Sequence, residues 1–561
     1  MTPLPIVGRE LRVAARKRGT YWSRVIAAAV ALVIFGAVAL IDALSPGGLG
    51  NQVGVYLFQV FSWLCFLLVL VAGVFFTSDA LSEEKREGTL GLLFLTDLRG
   101  HDVVLGKLMA GSLRGAYGLV AALPVVGLSF LLGGLTGGEF WRLVVTLLNT
   151  LFFTLAIGMA VSAVSRQGQR AMFATLGVVL AFVGLTWLAD WALAGWDPAR
   201  FKNFFSLASP VKGFLHLRAS RYDAFWQCMG IIHGLGWVFL ALACFCAPRT
   251  WQEKSASGGK GRRWKWLGTA ASRVAWRRRL FEGNPVRWVA ARERWSAWAG
   301  GAGLLVLLLV LAWLARDLWV DGQLMWMTMV LGWLLSFVLV LSLSSHACRF
   351  FVEARSSGAL ELMLAAPLPE GAIVRAQWWA LVRMFWLPVV VVLALRIAGS
   401  VQQLVQFWTM SAASQPGWPG DHMLTRLLGL GLSVLKFVTS LLAMGWFGMW
   451  MGVTTRRANV AVLKSIAFVY VLPTLALWFL NMMFMVGLSM INLSAGGGFM
   501  PLWLPELLMG ALALGLDVFF FLLARRKLLG NFRGLVASAA GVALKTAPPP
   551  LPAPPPLAVP H

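Results

Sequence analysis

Charge is scarce in this chain, and acid is scarcest. Only 13% of the 561 residues are Asp, Glu, Lys or Arg, against 59% hydrophobic. A soluble domain cannot hide that much apolar surface from water, so the composition describes a polytopic membrane protein. Acidic residues number 23 against 48 Lys and Arg, a net charge of +25. In a soluble protein that balance would suggest nucleic acid. Here the cations sit mostly in loops between apolar runs, the positive-inside pattern, and no basic patch forms a nucleic-acid module. Cysteine is also sparse. Cys65, Cys228, Cys244, Cys246 and Cys348 all lie in or beside apolar runs, and Cys244 and Cys246 are too close for a zinc pair. They read as small buried hydrophobes, and no metal site is expected.

Catalytic signatures are missing as well. There is no G-x-x-x-x-G-K-[ST]. Gly258-Gly259-Lys260-Gly261 comes nearest but lacks the spacing, the hydroxyl and a preceding strand. The chain is therefore not expected to bind ATP through a P-loop of its own, nor to be an enzyme. No H-E-x-x-H, no G-x-S-x-G with partners and no carboxylate pair inside an apolar run is present.

What is present is a succession of long apolar runs. A span needs about 20 apolar residues. That rule places spans near 24–44, 53–76, 108–132, 142–164, 171–193 and 227–247, then near 297–315, 324–347, 377–398, 430–453, 461–485 and 503–524. The first run is too long for a signal peptide and no small-residue cleavage site follows, so it is expected to remain as a span. Before it, residues 5–22 mix Arg9, Glu10, Arg12, Arg16, Lys17 and Arg18 with Leu11 and Val13, which suits an interfacial helix. The expected organisation is a first half at 1–248, a basic linker at 249–283, a second half at 284–530 and a Pro-rich, disordered tail at 531–561. The linker carries tryptophans suited to headgroup level, or is a patch that binds lipid or a partner. The end of the tail, TAPPPLPAPPPLAVPH, has polyproline II character and is a solvated end or a ligand for a proline-binding partner.

The gaps 45–52, 133–140, 400–423 and 486–502 contain no Lys or Arg and read as external, whereas 77–107, 165–170, 349–375, 456–464 and 525–533 contain several and read as internal. The gap at 190–226 disagrees, because it should be external yet carries Arg200, Lys202, Lys212, Arg218 and Arg221. Residues 201–217 are expected as short amphipathic pieces on or dipping into the outer face. Six spans per half is even, so both halves enter the membrane in the same sense, related by an axis along the membrane normal. Arg383, His346 and Asp517 are expected within about two turns of the cytoplasmic end, and Lys436 near the outer boundary.

The most informative stretch is 82–107, SEEKREGTLGLLFLTDLRGHDVVLGK. Ser82 is expected to cap a helix start, with Glu83 and Glu84 in its first turn. Gly88-Thr89 then breaks and restarts the helix, with Thr89 as a second cap. A shift of 270 positions carries Glu83 onto Glu353, Lys85 onto Arg355, Gly88 onto Gly358, Leu90 onto Leu360, Leu92 onto Leu362 and Val103-Val104 onto Ile373-Val374. A repeat at this spacing indicates a duplicated domain.

The stretch resembles the segment between the second and third spans of ABC-2 type transporter permeases, in which E-K-x-x-G-T-L-x-L-L leads to a Pro and then I/V-x-x-x-K. Glu84, Gly88, Thr89, Leu90, Leu92, Leu93, Val104 and Lys107 match. The second copy keeps Gly358, Leu360, Glu361, Leu362 and Pro367, while Asp97 stands where the family has Pro and Ala359 where it has Thr. The resemblance implies an all-α membrane protein of about 12 transmembrane helices. These form two parallel six-span permease halves fused in one chain, each with an N-terminal interfacial helix and a cytoplasmic coupling helix. It implies a multi-pass protein of the bacterial inner membrane, with both termini cytoplasmic, exporting a substrate the sequence does not name. ATP and Mg would be bound by separate ATP-binding subunits, two per chain, with further accessory subunits open. The residues implied to dock them are Glu83, Glu84, Lys85, Glu87, Gly88, Thr89, Leu90 and Leu93 in the first copy, and Glu353, Arg355, Gly358, Leu360, Glu361 and Pro367 in the second. Because the first copy is far more charged, unequal contacts are expected. Two rivals stay open: an ion-coupled secondary transporter, which would need carboxylates mid-span, and a non-transporting membrane scaffold of a motility or mechanotransmission ABC complex.

Overall fold

A computed structural model describes residues 36, 52–86, 88–95, 99–131, 136–194, 204–218, 223–250, 324–367, 369–414, 420–477, 480–481, 484 and 503–540. The expected span at 24–44 except residue 36, the expected span at 297–315, both N-terminal interfacial segments, the linker after Thr250 and the tail beyond Ala540 lie outside these residues. Every regular element among the described residues is helical. In hydrocarbon each backbone N–H and C=O must be paired within the chain, which a helix does segment by segment.

The first half comprises α1 (Gln52–Phe76), α2 (Ala80–Arg86), α3 (Thr89–Phe94), α4 (Gly100–Leu131), α5 (Gly137–Val164), α6 (Gly168–Ala194), α7 (Pro210–Leu215) and α8 (Asp223–Thr250). The second comprises α9 (Leu324–Ser356), α10 (Ala359–Ala365), α11 (Glu370–Ser414), α12 (Gly420–Thr454), α13 (Ala458–Ile466), α14 (Trp503–Gly530) and α15 (Phe532–Ala540). Nine helices among the described residues are long and apolar enough to cross a membrane. They fall at nine of the positions read from the sequence. At the expected third span stands α4, 32 residues long, about 48 Å at 1.5 Å per residue. α11 is longer than its expected span of 377–398 and runs on to Ser414, through residues the sequence assigns to an external gap. α13 continues through a π-helical turn at Ala467–Val471.

Each half has its own apolar core. In the first, Phe66, Leu81, Leu90, Leu143, Leu147, Phe153 and Ile157 are essentially inaccessible. Lipid supplies little hydrophobic drive between helices, so close backbone approach and interhelical hydrogen bonds take over. At Gly73 a Cβ would lie 1.9 Å from the carbonyl oxygen of Thr154, so only glycine lets α1 meet α5 there. Around it, Thr154 donates to Val69 O at 3.1 Å and Thr77 to Leu155 O at 2.9 Å. The second core extends across the seam, since Val74, Met172, Phe173 and Leu176 of the first half pack into it. The Gln169 side-chain amide adds a bond to His346 Nε2 at 2.6 Å.

Residues 204–218 form two 3-10 turns around α7, at the end of the bundle opposite α2 and α3. Arg142 near the start of α5 donates to Leu217 O there at 2.9 Å, whereas the other end of α5 meets Lys85. Phe214 stacks on Phe66 with ring centroids 4.5 Å apart, so the segment dips into the bundle. Two of the five cations behind the charge anomaly in this gap, Lys212 and Arg218, have local partners. Arg218 pairs with Glu139 at 3.2 Å, and Lys212 donates to Ser206 Oγ at 2.6 Å. Asp190 accepts from the backbone N–H of Phe205 and Ser206. Burial pushes the Lys212 ammonium below the usual lysine range, and the nearby Asp190 carboxylate opposes that fall.

The C-terminal boundary needs correction. The sequence reading places 531–561 in a disordered tail, but 532–540 is a helix, with Phe532 fully buried and Val536 7% exposed. Phe532, Leu535 and Val536 share one face, too short a stripe for a span rule to detect. Phe532 meets Phe351 edge-on at 5.8 Å, which anchors this helix beside the second break element.

Candidate functional site

The two break elements share one design. The chain leaves a membrane helix, passes a glycine at φ +72° and starts a short helix: Gly88 before α3, Gly358 before α10. That backbone region is costly for any residue with a Cβ, which explains why both positions are glycine. Two residues on, Leu90 and Leu360 are each 1% exposed and anchor the short helix to its core. Two residues further, Leu92 and Leu362 are 64% and 75% exposed, and Leu95 is 77% exposed. Val103, Val104, Ile373 and Val374 are all fully buried on the helices that follow.

Lys85 and Arg355 correspond in position and in action. Lys85 Nζ donates to Ala163 O, and to Thr250 Oγ1 at 2.9 Å. Arg355 donates to Val453 O at 2.7 Å and to Thr455 O. Both cations thus satisfy orphan carbonyls where α5 and α12 end, the favourable place for positive charge on a helix. They hold the break element to its own half.

The capping expectations fail for an identifiable reason. Ser82 lies inside α2, and its hydroxyl donates to Asp79 Oδ1 at 2.6 Å. Thr89 is the first residue of α3 rather than its cap, and its hydroxyl turns back to the Glu84 carboxylate and carbonyl. Glu84 also pairs with Lys107 at 2.6 Å. The motif residues Glu84, Thr89 and Lys107 therefore form one brace that ties α2, α3 and α4 together. The second copy has Ala354, Ala359 and Gln377 at these positions, and the buried Gln377 Oε1 has no hydrogen-bond partner. The charged stretch is also not a separate surface helix. α2 continues from α1 after a three-residue turn, and Glu353 and Arg355 lie in the last turn of the unbroken α9. Glu361 and Pro367 are exposed, Leu93 is half-buried, and Glu87 lies outside the described residues.

Between the two break elements lies a cavity of about 710 Å³, lined by Phe75, Phe76, Asp79, Glu83, Arg86 and Lys107 from the first half and by Arg349, Phe350, Glu353, Met363, Arg456 and Arg457 from the second. Both elements therefore open on the same end of the molecule. Sequence reasoning passed over Asp79 and Arg349, which meet in its wall. Asp79 takes Arg86 at 3.1 Å within its own half and lies 3.9 Å from Arg349 across the seam. Arg349 is 3% exposed, and it also reaches Asn459 Oδ1 at 2.5 Å, Ser345 Oγ at 3.3 Å and Glu353 at 3.9 Å.

Of the polar groups expected at membrane depth, Asp517 sits deeper than the sequence suggests. It accepts from Ser440 at 2.6 Å and Thr439 at 3.0 Å. Ser440 precedes the end of α12 by about 21 Å at 1.5 Å per residue. Arg525 and Arg526 mark the boundary in sequence, but α14 runs past them to Gly530. In the first half His233 Nδ1 meets Asn149 Oδ1 at 3.0 Å, and Trp237 donates to His233 Nε2 at 3.0 Å. Each half thus clasps its α5/α8 or α12/α14 pair with polar groups in the membrane. Among the described residues no cluster of His, Cys, Asp or Glu could hold a metal ion.

Two helical cores, each with a glycine-broken element at one common end of the bundle, define a polytopic membrane protein. Residues 4–246 match the family model described as ABC-2 family transporter protein. Over that first half the chain is thus similar to the membrane proteins of this family. No curated protein matches this chain.

Proposed function

We propose that this chain is the complete transmembrane part of an ABC exporter, with two permease halves fused and both break elements docking separate ATP-binding subunits. The observation that carries the reading is the paired surface at one end of the molecule. Gly88 and Gly358 share one φ, Leu90 and Leu360 are anchored alike, and Leu92 and Leu362 project alike. Apolar groups exposed together and rimmed by polar residues are a feature of contact surfaces, and Leu92, Leu95 and Leu362 project at the end that also carries Asp79, Glu83, Arg86 and Arg456. The family match covers only the first half; the second enters through the 270-residue offset and the shared geometry. Approach of two ATPases on binding ATP would push on α3 and α10 and rock the halves against each other. ATP and Mg belong to those subunits, and this chain breaks no bond. On this reading twelve spans place both termini and both break elements in the cytoplasm of a bacterium, with the chain in its inner membrane. Export as the direction rests on family likeness.

Affinity purification of the tagged full chain in mild detergent tests this. The expected result is recovery of a P-loop ATPase at two per chain. Recovery of the chain alone, even after crosslinking through cysteines placed at Leu92 and Leu362, would remove the docking role and bring the ion-coupled reading forward.

A further inference from the structure

The seam between the halves carries a charge pattern that the duplication does not explain. Asp79 and Arg349 are 270 positions apart, the offset that carries Gly88 onto Gly358 and Lys85 onto Arg355. They are the same position in the two copies. Residues related by a twofold axis touch each other only beside that axis, so their 3.9 Å contact puts the pseudo-twofold axis between them. The residue that would face itself in a symmetric pair is acidic in one copy and basic in the other.

The surroundings depart from symmetry in the same sense. The turns after α5 and α12 correspond at an offset of 290, with Ser165 N–H closing on Val161 O and Thr455 N–H on Met451 O. Gln169 then corresponds to Asn459, and by the 270 offset Phe76 corresponds to His346. Gln169 crosses the seam to His346 at 2.6 Å. The counterpart of His346 is Phe76, whose ring offers no acceptor, and Asn459 bonds Arg349 instead. On the first side Gly168 packs beside the Asp79 carboxylate, where a Cβ would approach Oδ1 to 2.3 Å, so this wall has been cleared for the acid.

We infer that this face is a pairing surface which fits the opposite half of the same chain and rejects a copy of itself. Two first halves would bring two carboxylates together on the axis. Two second halves would bring together two guanidiniums, each buried as deeply as Arg349. Each carboxylate would keep its own Arg86 and each guanidinium its own Glu353, but the attraction across the axis would become a repulsion, and specificity of this kind comes from repulsion in the wrong complex as much as from attraction in the right one. The fused chain is then an obligate hetero-pair, and its asymmetry is built in at the axis. The inference rests on the fused-halves reading but not on the identity of any ATPase.

The test is a charge-exchange cycle in the full-length chain, read as the thermal unfolding midpoint of purified protein. Asp79→Arg and Arg349→Asp each place like charges on the axis and are expected to lower the midpoint more than Asp79→Asn or Arg349→Gln. The exchanged variant carrying both Asp79→Arg and Arg349→Asp is expected to recover above either reversal alone. Because Asp79 also serves Ser82 and Arg86, the recovery is partial, and the neutral pair supplies a second measure. The double variant Asp79→Asn with Arg349→Gln is expected to lie no lower than the worse single, since the second change removes a charge already left without its mate. Losses that simply add in the neutral cycle, or an exchanged variant as low as the worse reversal, would overturn the pairing. Should a reversal fail to accumulate, the neutral cycle alone decides. Failure to recover an ATPase from the native chain would leave this outcome untouched, so the two readings fail separately.

Discussion

Gly88 and Gly358 are the residues at which sequence, backbone and proposed function meet. Both adopt φ +72°, and a Cβ at either would meet nothing within 4 Å. The cost of replacing them is therefore backbone strain alone, about 1–2 kcal/mol for alanine in the left-handed region. Asn, which tolerates that region, should cost less. Gly73→Ala is the contrast, because its Cβ would meet the Thr154 carbonyl at 1.9 Å and force α1 from α5. The expected order of unfolding midpoints is native, Gly88→Asn, Gly88→Ala, then Gly73→Ala well below. A Gly88→Ala chain as damaged as Gly73→Ala would mean that α3 is packed in a way these positions do not reveal. The glycines were legible because Gly88-Thr89 interrupts a helical run and the 270-residue offset carries Gly88 onto Gly358. The caps were not. Ser82 and Thr89 have the right chemistry for a helix start, but Asp79 and Glu84 claim their hydroxyls first, and a linear motif does not show which neighbour wins.

At the scale of the element, the leucines of α3 and α10 divide into anchors and projections. The family resemblance placed Leu90, Leu93 and Leu360 among the docking residues. The fold instead turns Leu90 and Leu360 inward and leaves Leu92, Leu95 and Leu362 outside. A six- or seven-residue helix is too short for its sequence to show which face is covered. The two classes should separate cleanly on mutation. Leu90→Ala or Leu360→Ala empties a buried site and should cost about 2–5 kcal/mol of stability. Leu92→Asp and Leu362→Asp should leave unfolding within about 0.5 kcal/mol of native, as exposed substitutions do, yet reduce ATPase recovery in pull-down. Pull-down unchanged by both aspartates would mean that the partner contacts another part of this surface. The Glu84–Thr89–Lys107 brace exists only in the first copy, so α3 is the more firmly held of the two elements. Part of the unequal charge noted in the sequence thus serves internal bracing, with Glu84 turned to Lys107.

At the scale of the whole molecule, nine candidate spans among the described residues fell where apolar runs of about 20 residues put them, because burial in lipid is a composition-level requirement. The seam was not legible in the same way. Asp79 and Arg349 look like ordinary boundary charges until the axis is known, and only then does their equal position make them partners. The shared end of α3 and α10 agrees with the even number of spans per half that the proposed function requires, and it leads to a further expectation. Cys65, Cys228 and Cys348 are buried and Cys244 and Cys246 half-buried, so the native thiols offer little to a membrane-impermeant maleimide. Single cysteines can therefore be added to the native chain. Leu95→Cys and Ala365→Cys lie beyond the two break glycines at exposed positions, and Leu215→Cys lies at the opposite end, 50% exposed before substitution. In vesicles of defined orientation the first two should react only from the cytoplasmic side and the third only from outside. Reaction of Leu95→Cys and Ala365→Cys from opposite sides would dismantle the parallel arrangement of the halves. Reaction of all three from one side would instead return residues 204–218 to the cytoplasm, making Lys212 and Arg218 part of the positive-inside pattern that their pairing with Ser206 and Glu139 now explains away.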